Sequence, residues 1–238
     1  MKNLLTTNDY NSLETVDFTR VVYDKTDDLV YIQTPILCGF VDLGLSVNWA
    51  TCNVGATKPE EYGLYFAWGE TEGYSGVTDA KGFYWSDYKW CNGSETTLTK
   101  YNHDTSYGTV DNLETLELVD DAAYVTNNSC RIPTSGECKE LIDNTTTAFT
   151  EVNGINGIQL TSTKEGYTDK SIFIPAAGQV YDGSLSNVGS CGYIWSSSLY
   201  SNYPGFARRM YFCISSGSVA MNDYYRYDGF SVRPVKEK

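Results

Sequence analysis

The sequence predicts an α+β fold with few helices and much loop, and three observations carry that prediction. From Phe40 onward the chain is a succession of short β-type runs broken by Gly, Asn and Ser. Only two helix-start signals interrupt them. The 238 residues are 41% hydrophobic and 20% charged, an ordinary globular composition on a chain long enough to bury a substantial core.

Residues 1 to 38 differ from the rest of the chain: they are richer in Asp and Thr, poor in Gly, and end near Thr34-Pro35. Proline restricts the residue before it to extended backbone, so a short N-terminal attachment or oligomerisation segment is expected here, followed by one domain over 39–238. Within the segment, VVYD (21–24) and LVYIQ (29–33), separated by Lys25-Thr26-Asp27-Asp28, read as a hairpin. A lone hairpin is barely stable in water, so this piece is expected to dock on the main domain or on a partner chain.

The strands of the main domain are read from FVDLGLSVNWA, LYFAW, GIQLTS, SIFIPAAG, YIWSSS, RMYFCI, GSVAM and GFSVRPV. A first helix is expected from Asp111-Asn112-Leu113-Glu114, an Asp cap with Glu three residues on, followed by Leu113, Leu116 and Val119 at three-residue steps. A second starts at Thr134-Ser135-Gly136-Glu137, a T-x-x-E capping box. There Cys138, Leu141 and Ile142 form one inward face until Asn144 ends the run.

Charge and composition exclude several functions. With 17 basic against 30 acidic residues the formal charge is −13, a field that repels polyanions, so no nucleic-acid partner is expected. A single histidine removes zinc sites built on several imidazoles. A Ser/His/Asp triad would have to use His103, which has no G-x-S-x-G nucleophile motif to serve and reads as a surface-loop residue. The adjacent acids Glu60-Glu61 and Asp120-Asp121 suggest a glycosidase only superficially, because neighbouring side chains point apart; they read as surface or helix-end groups. Tyr65, Trp68, Tyr84, Trp85, Tyr88 and Trp90 could stack on sugars but read first as core and loop anchors. No phosphate-cradling glycine loop occurs. The start, Met1 to Gln33, lacks the basic and apolar regions of a signal peptide, and no apolar run is long enough to span a bilayer, so no membrane insertion is expected. The seven cysteines, an odd number without C-x-x-C spacing, are read as reduced, buried thiols.

The C-terminus stands apart. Residues 196–235 contain no Lys, Glu, Gln, Trp, His or Thr, where average usage of the first, second, third and fourth alone would supply about five. Arg208, Arg209, Arg226 and Arg233 against Asp223 and Asp228 give this stretch +2 and leave −15 on the rest. Tyr, Ser, Asn, Gly and Arg are the residues of adaptable binding surfaces. Composition alone does not separate that reading from a Tyr-rich final sheet packed on the core.

The motifs VDLGLSVNWATCNVGATKPEEYGLYFAWGE (41–70), YKWCNG (88–93), RIPTSGE (131–137), IFIPAAG (172–178), GYIWSSS (192–198) and GFSVRPV (229–235) resemble a large paralogous domain family of Bacteroidetes and Fibrobacter. That family is similar to the formylglycine-generating-enzyme branch of the C-type lectin fold. The resemblance covers nearly all of residues 40–235 and implies short twisted antiparallel strands, two main helices and long loops. Members like this one are variable proteins of diversity-generating retroelements, in which adenine-specific copying turns AAY codons into NNY codons. Such codons specify everything except Lys, Glu, Gln, Trp and Met, which matches the compositional skew and makes Met210 and Met221 fixed positions.

The resemblance implies variable, ligand-binding positions at Tyr200, Asn202, Tyr203, Phe206, Arg208, Arg209, Tyr211, Ala220, Asn222, Asp223, Tyr224, Tyr225 and Asp228, with Cys213 a weaker candidate. Trp195, Ser196, Ser197, Gly217, Val219, Arg226, Tyr227, Gly229 and Ser231 to Val235 become framework. Period-two alternation turns Tyr211 and Cys213 outward and Met210, Phe212 and Ile214 inward. Exposed aromatics and Arg dominate interface energetics, which points to Tyr203, Phe206, Arg209, Tyr211, Tyr224 and Tyr225 as hot spots. The implied protein is a non-enzymatic, hypervariable receptor-binding module of a phage or prophage tail tip, or alternatively a fixed cell-surface or pilus adhesin, with a formylglycine-generating-like oxidase as the runner-up from a different class. It is expected to recognise a bacterial surface protein or glycan, to assemble as a homotrimer, and to use no cofactor or metal. The tripeptides of calcium-dependent lectins are absent, and Cys191 and Cys213 lack the context of the oxidase's reactive pair, so neither sugar binding by calcium nor oxidation is carried over.

Overall fold

The computed structural model describes residues 38–75 and 81–238 in full, together with the backbone of three strands before them, β1 (Lys2–Leu4), β2 (Val21–Asp24) and β3 (Leu29–Gln33). The chain divides into two units, Met1–Leu37 and Cys38–Lys238. In the first, β2 and β3 pair antiparallel as expected from VVYD and LVYIQ. A third strand, β1, joins the other edge of β3, giving the order β1-β3-β2.

In the second unit the strands are β4 (Phe40–Val41), β5 (Asn48–Ala50), β6 (Tyr65–Phe66), β7 (Thr145–Val152), β8 (Ile155–Ser162), β9 (Ser171–Pro175), β10 (Gln179–Tyr181), β11 (Ser184–Ser186), β12 (Cys191–Leu199), β13 (Phe206–Cys213), β14 (Ser218–Tyr225), β15 (Phe230–Ser231) and β16 (Val235–Lys236). The central sheet runs β14-β13-β12-β15-β6. Beside it lie the antiparallel triplets β7-β8-β9 and β16-β5-β4 and the pair β10-β11. Among the described residues the α-helices are α1 (Ala122–Thr126) and α2 (Ser135–Asp143), and single 3-10 turns stand at Trp85–Asp87, Glu95–Thr97, Thr105–Tyr107 and Leu118–Asp120.

Helix α2 forms as its capping box dictates: the Thr134 hydroxyl accepts from the Glu137 amide at 3.2 Å, and the Glu137 carboxylate accepts from the Thr134 amide at 2.7 Å. It buries Cys138 and Leu141 against Ile194, Met210 and Phe212 of the central sheet and Ile158, Leu160, Ile172 and Ile174 of the β7-β8-β9 sheet. A second cluster, with Tyr65, Phe83, Tyr88, Leu98 and Val180, fills the space under the long loop between β6 and α1. Close packing leaves no freedom at Gly192, where an added Cβ would lie 2.3 Å from the Phe212 ring.

Two expectations about the fold are corrected. The molecule is β-rich, with 36% of the described residues in strands and 13% in helices, several small sheets and only α2 longer than two turns; an α+β arrangement with two main helices does not describe it. The first expected helix does not form over 111–119. Its supposed cap, Asp111, turns its carboxylate to the amides of Tyr101 (2.8 Å) and Asn102 (3.0 Å), Asn112 takes a left-handed φ of 60°, and the segment runs beside β12 through Leu116 N–H to Ser197 O and Leu199 N–H to Glu114 O. Asp111 also accepts from the Leu113 amide at 3.1 Å, but the left-handed Asn112 between them closes only a local turn and stops a helix from following. The helical signal moves downstream, to α1 capped by Asp121. The run TTTAFTEV, not read as a strand, forms β7 because its register with β8 is complete from Thr145↔Ser162 to Val152↔Ile155.

The cysteine reading is also corrected. Cys38–Cys52 and Cys191–Cys213 are disulfides, and Cys91, Cys130 and Cys138 are buried free thiols. Strand pairing places Cys191 directly opposite Cys213, with Cα atoms 4.2 Å apart. Spacing in the sequence carries no trace of such a cross-strand register.

Candidate ligand-binding face

Strands β13 and β14 form a continuous ladder from Phe206↔Tyr225 to Cys213↔Ser218. Alternation sorts their side chains. Met210 and Phe212 are fully buried in the core, with Val219 and Met221 packed beside them. On the opposite face lie Arg209, Tyr211, Ala220, Asn222 and Tyr224. Phe206, Arg208, Asp223 and Tyr225 continue the core-facing register beyond the end of the core and are only half-buried. The candidates therefore occupy both faces of the ribbon. Tyr224 and Tyr225 join those faces, their rings touching edge to face at 5.8 Å.

An unbroken line of partly exposed rings crosses this end of the molecule. Tyr107 meets Tyr203 (5.2 Å between centroids), Tyr203 meets Phe206 (4.7 Å), Phe206 meets Tyr225 (4.7 Å), Tyr225 stacks on Tyr227 (5.2 Å), and Tyr227 meets Trp85 (4.9 Å). Beside it Arg208 lies over Tyr200 and forms a 3.7 Å ion pair with Asp223. Burial raises the Asp223 carboxyl pKa, while Arg208 and Arg209 oppose the rise. Asn202 is exposed and donates to the Tyr200 hydroxyl at 3.2 Å.

Three candidates are placed otherwise than as exposed contact residues. Arg209 is 4% exposed and Asp228 0%. The Arg209 guanidinium is enclosed by Tyr193, Tyr224 and Phe230, with ring centroids 4.3–4.4 Å away, and its Nε donates to Asn222 Oδ1 at 2.8 Å. Desolvation pulls the Arg209 pKa down to about 10 and pushes that of Asp228 up to about 8, where Arg209 acts against the rise. Cys213 is tied to Cys191, so it holds strands together and offers no side chain to a ligand.

Framework residues hold the face from beneath. Arg226 is fully buried, and among the described residues no carboxylate pairs with it. It donates instead to the Tyr88 hydroxyl (2.8 Å) and to the carbonyls of Tyr101 (2.9 Å), Pro204 (3.1 Å) and Lys100 (3.0 Å), with Trp68, Tyr88 and Tyr101 around it. It thereby fixes the loop that carries Tyr200, Asn202 and Tyr203. Trp195 donates to Phe66 O at 2.7 Å and packs on Phe230. Arg233 is likewise buried on the carbonyls of Ala50 and Phe173, and desolvation lowers its pKa to about 9. Gly217 takes φ 63° in the turn between β13 and β14, a value that favours glycine.

Residues not foreseen at this face are Tyr107, Trp85, Tyr193 and Tyr181, and Tyr227 joins it from the expected framework. The run from Tyr84 to Trp90 did carry a signal, since it is dense in rings; it serves both roles, with Tyr88 buried in the core and Trp85 at the surface. The acidic pairs are structural. Asp121 caps α1, Asp120 pairs with Lys100 and accepts from the Tyr101 hydroxyl, and Glu61 accepts from the Thr57 amide. His103 lies half-buried in its loop. Among the described residues no three His, Cys, Asp or Glu side chains are placed to hold a metal, and no helix is long and apolar enough to cross a membrane.

A family model described as "Domain of unknown function (DUF8237)" matches residues 108–235, more than half of the chain. The chain belongs to the DUF8237 family. The DUF8237 span takes in both helices and every strand from β7 to β15, and so every candidate position. It leaves out β5 and β6, although these pair with β16 and β15 in the same unit. No curated protein and no solved structure matches this DUF8237 chain.

Proposed function

We propose that this chain is a non-enzymatic binding protein of the retroelement-diversified kind, and that its ligand face is the ring-lined end of the β13–β14 ribbon with the loop at 200–206. The observation that carries the reading is the unbroken line of six partly exposed rings from Tyr107 to Trp85, backed by the buried Trp68, Tyr88, Tyr101 and Arg226. Large rings give much contact area for few frozen torsions, and Arg208, Asp223 and Asn202 supply adaptable polar contacts around them. Eleven of the fourteen candidate positions, all but Arg209, Asp228 and the disulfide-bonded Cys213, are partly or wholly exposed and free of cross-links, so their side chains can change with little loss of core volume.

The partner is proposed to be a bacterial surface protein or glycan, and the location a virion tail or cell surface. Two disulfides support an oxidising location outside the cytoplasm. The test is to read the DNA beside the gene. A near-copy of the segment encoding residues 196–235 that differs only at adenines, next to a reverse transcriptase gene, is the expected result. Identical C-terminal segments in many isolates, with no such copy, would overturn diversification and leave a fixed adhesin.

A further inference from the structure

The two edges of the central sheet are finished differently. At one, β6 is two residues long, and Tyr65 of that strand exchanges both main-chain bonds with Tyr74, which closes it. At the other, β14 runs for eight residues in one-to-one register with β13, with no bulge, proline or lysine. Native proteins normally blunt so long an edge with such a device, because a bare edge is a template for another strand.

The phase of the ladder shows which groups β14 turns outward. Arg226 N–H donates to Gly205 O, one step beyond the pair Phe206↔Tyr225, and Ile214 N–H donates to Ser190 O, one step beyond Cys191↔Cys213. Even-numbered residues of β14 therefore bond to β13, while Val219, Met221 and Asp223 direct N–H and C=O away from the sheet. Among the described residues no main-chain group meets them. Val219 and Met221 rest on the core with one side and are otherwise uncovered, as is Ile142 of α2, the helix that packs on β14. The margin is thus apolar on the helix side and carries Ala220 and Asn222 on the other.

We propose that the edge of β14 takes an extended strand of a protein partner, one that alternates apolar and polar side chains, and adds it to the five-stranded sheet. Residues opposite Val219 and Met221 point to the same face as these two, so the apolar set of the incoming strand lies against that margin. A row of alternating donors and acceptors is matched by a polypeptide backbone, and a glycan has no such row. A second copy of the chain is disfavoured by charge, since each copy carries −13. The edge also runs into the ring line, because Tyr225 of β14 meets Phe206 and stacks on Tyr227. Main-chain pairing does not depend on side-chain identity, so it persists when residues of β14 are exchanged.

The inference rests on the binding face proposed above and names the class of partner that face takes. The test uses the whole chain and two synthetic peptides as long as β14. One has valine at every second place with glutamate and lysine between, and the other holds the same residues shuffled. Amide exchange read by nuclear magnetic resonance is expected to be fast at Val219, Met221 and Asp223 of the free chain and slowed by the alternating peptide alone. Strand β7 provides the reference. It also ends a sheet, and the bond from Thr163 N–H to Asn144 O sets its outward amides as Thr147, Phe149 and Glu151, which are expected to stay unchanged. Asp223→Pro removes an outward N–H without costing a ladder bond, and is expected to weaken the alternating peptide about tenfold or more. Asp223→Asn, which keeps the N–H, is expected to bind as the native chain does. If Asp223→Pro does not fold, the three amides decide alone. Absence of binding, equal effects of both peptides, equal slowing at β7, or protection of the three amides in the free chain overturns the strand site. The face is judged separately, by binding of Tyr203→Ser and Phe206→Ser chains to bacterial surface preparations. Loss there with no peptide on the edge leaves the face and removes the strand site, and no loss with no peptide bound removes both.

Discussion

Arg226 donates through Nη1 to the carbonyl of Pro204, 22 residues earlier, at 3.1 Å. One buried guanidinium thus holds the loop of Tyr200, Asn202 and Tyr203 against the segment around Tyr101. The loop needs such a tether, since its own closure is only a few turn bonds, Tyr200 N–H to Phe206 O and Phe206 N–H to Tyr203 O.

Arg226→Met fills similar space but leaves the carbonyls of Lys100, Tyr101 and Pro204 without a donor. The expected loss is about 3–5 kcal/mol of unfolding free energy in urea. Amide exchange should quicken at 200–206 before it does at Ile158 and Leu160. Uniform acceleration across both regions would show that Arg226 supports the whole fold rather than this loop.

Substitutions should separate the face from its support. Tyr211→Ser and Arg208→Ser are expected to cost less than about 1 kcal/mol. Phe212→Ala, one residue from Tyr211 but fully buried, is expected to cost about 3–5 kcal/mol. Urea titration of the three variants reads this directly, and similar losses in all three count against the division.

Asp228 should make stability depend on pH. Its carboxyl is pushed up to about 8 by burial, against about 3.9 in an unfolded chain. The folded chain therefore keeps a proton that the unfolded one releases, so this contribution is full below about pH 4 and is lost as the pH rises through about 8. The upper bound is about 6 kcal/mol, from about 1.4 kcal/mol per unit. Asp228→Asn should gain on the native chain steadily between about pH 5 and 8 and hold its margin unchanged above about 9. A constant difference across the lower range would mean that the native carboxyl titrates normally.

The disulfides predict a thiol count. Mass spectrometry of the native protein after alkylation in denaturant should find three labelled cysteines, Cys91, Cys130 and Cys138, and seven after reduction. Cys213→Ser should lower stability by about 3 kcal/mol, the chain-entropy value for a closed loop of this size. Labelling of Cys213 without reductant would contradict the pairing.

The sequence disclosed what local chemistry decides. The Thr134–Glu137 box starts α2, and the alternation Met210, Tyr211, Phe212 sorts the faces of β13, because each depends on neighbours a few residues away. It missed what distant partners decide. Asp111 does bind the Leu113 amide as a cap would, but it also ties in the distant amides of Tyr101 and Asn102 and is followed by a left-handed Asn112, and Cys191 meets Cys213 only through strand register. The burial of Arg209 and Asp228 was hidden for the same reason. Their residue types are those of a surface, and the rings that cover Arg209 come from β12, β14 and β15.

Strand β14 is the outermost of its five-stranded sheet, and every one of its eight residues is half-buried. A side chain altered in a central strand must be accommodated by neighbours on two flanks. One altered in β14 has a strand neighbour on one flank only, β13, while Val219 and Met221 rest on the core and Tyr224 reaches Phe230 of β15. The edge strand of the proposed face thus meets strand neighbours on one side only, so a poor substitution at an outward position there spoils the contact surface before it reaches the scaffold.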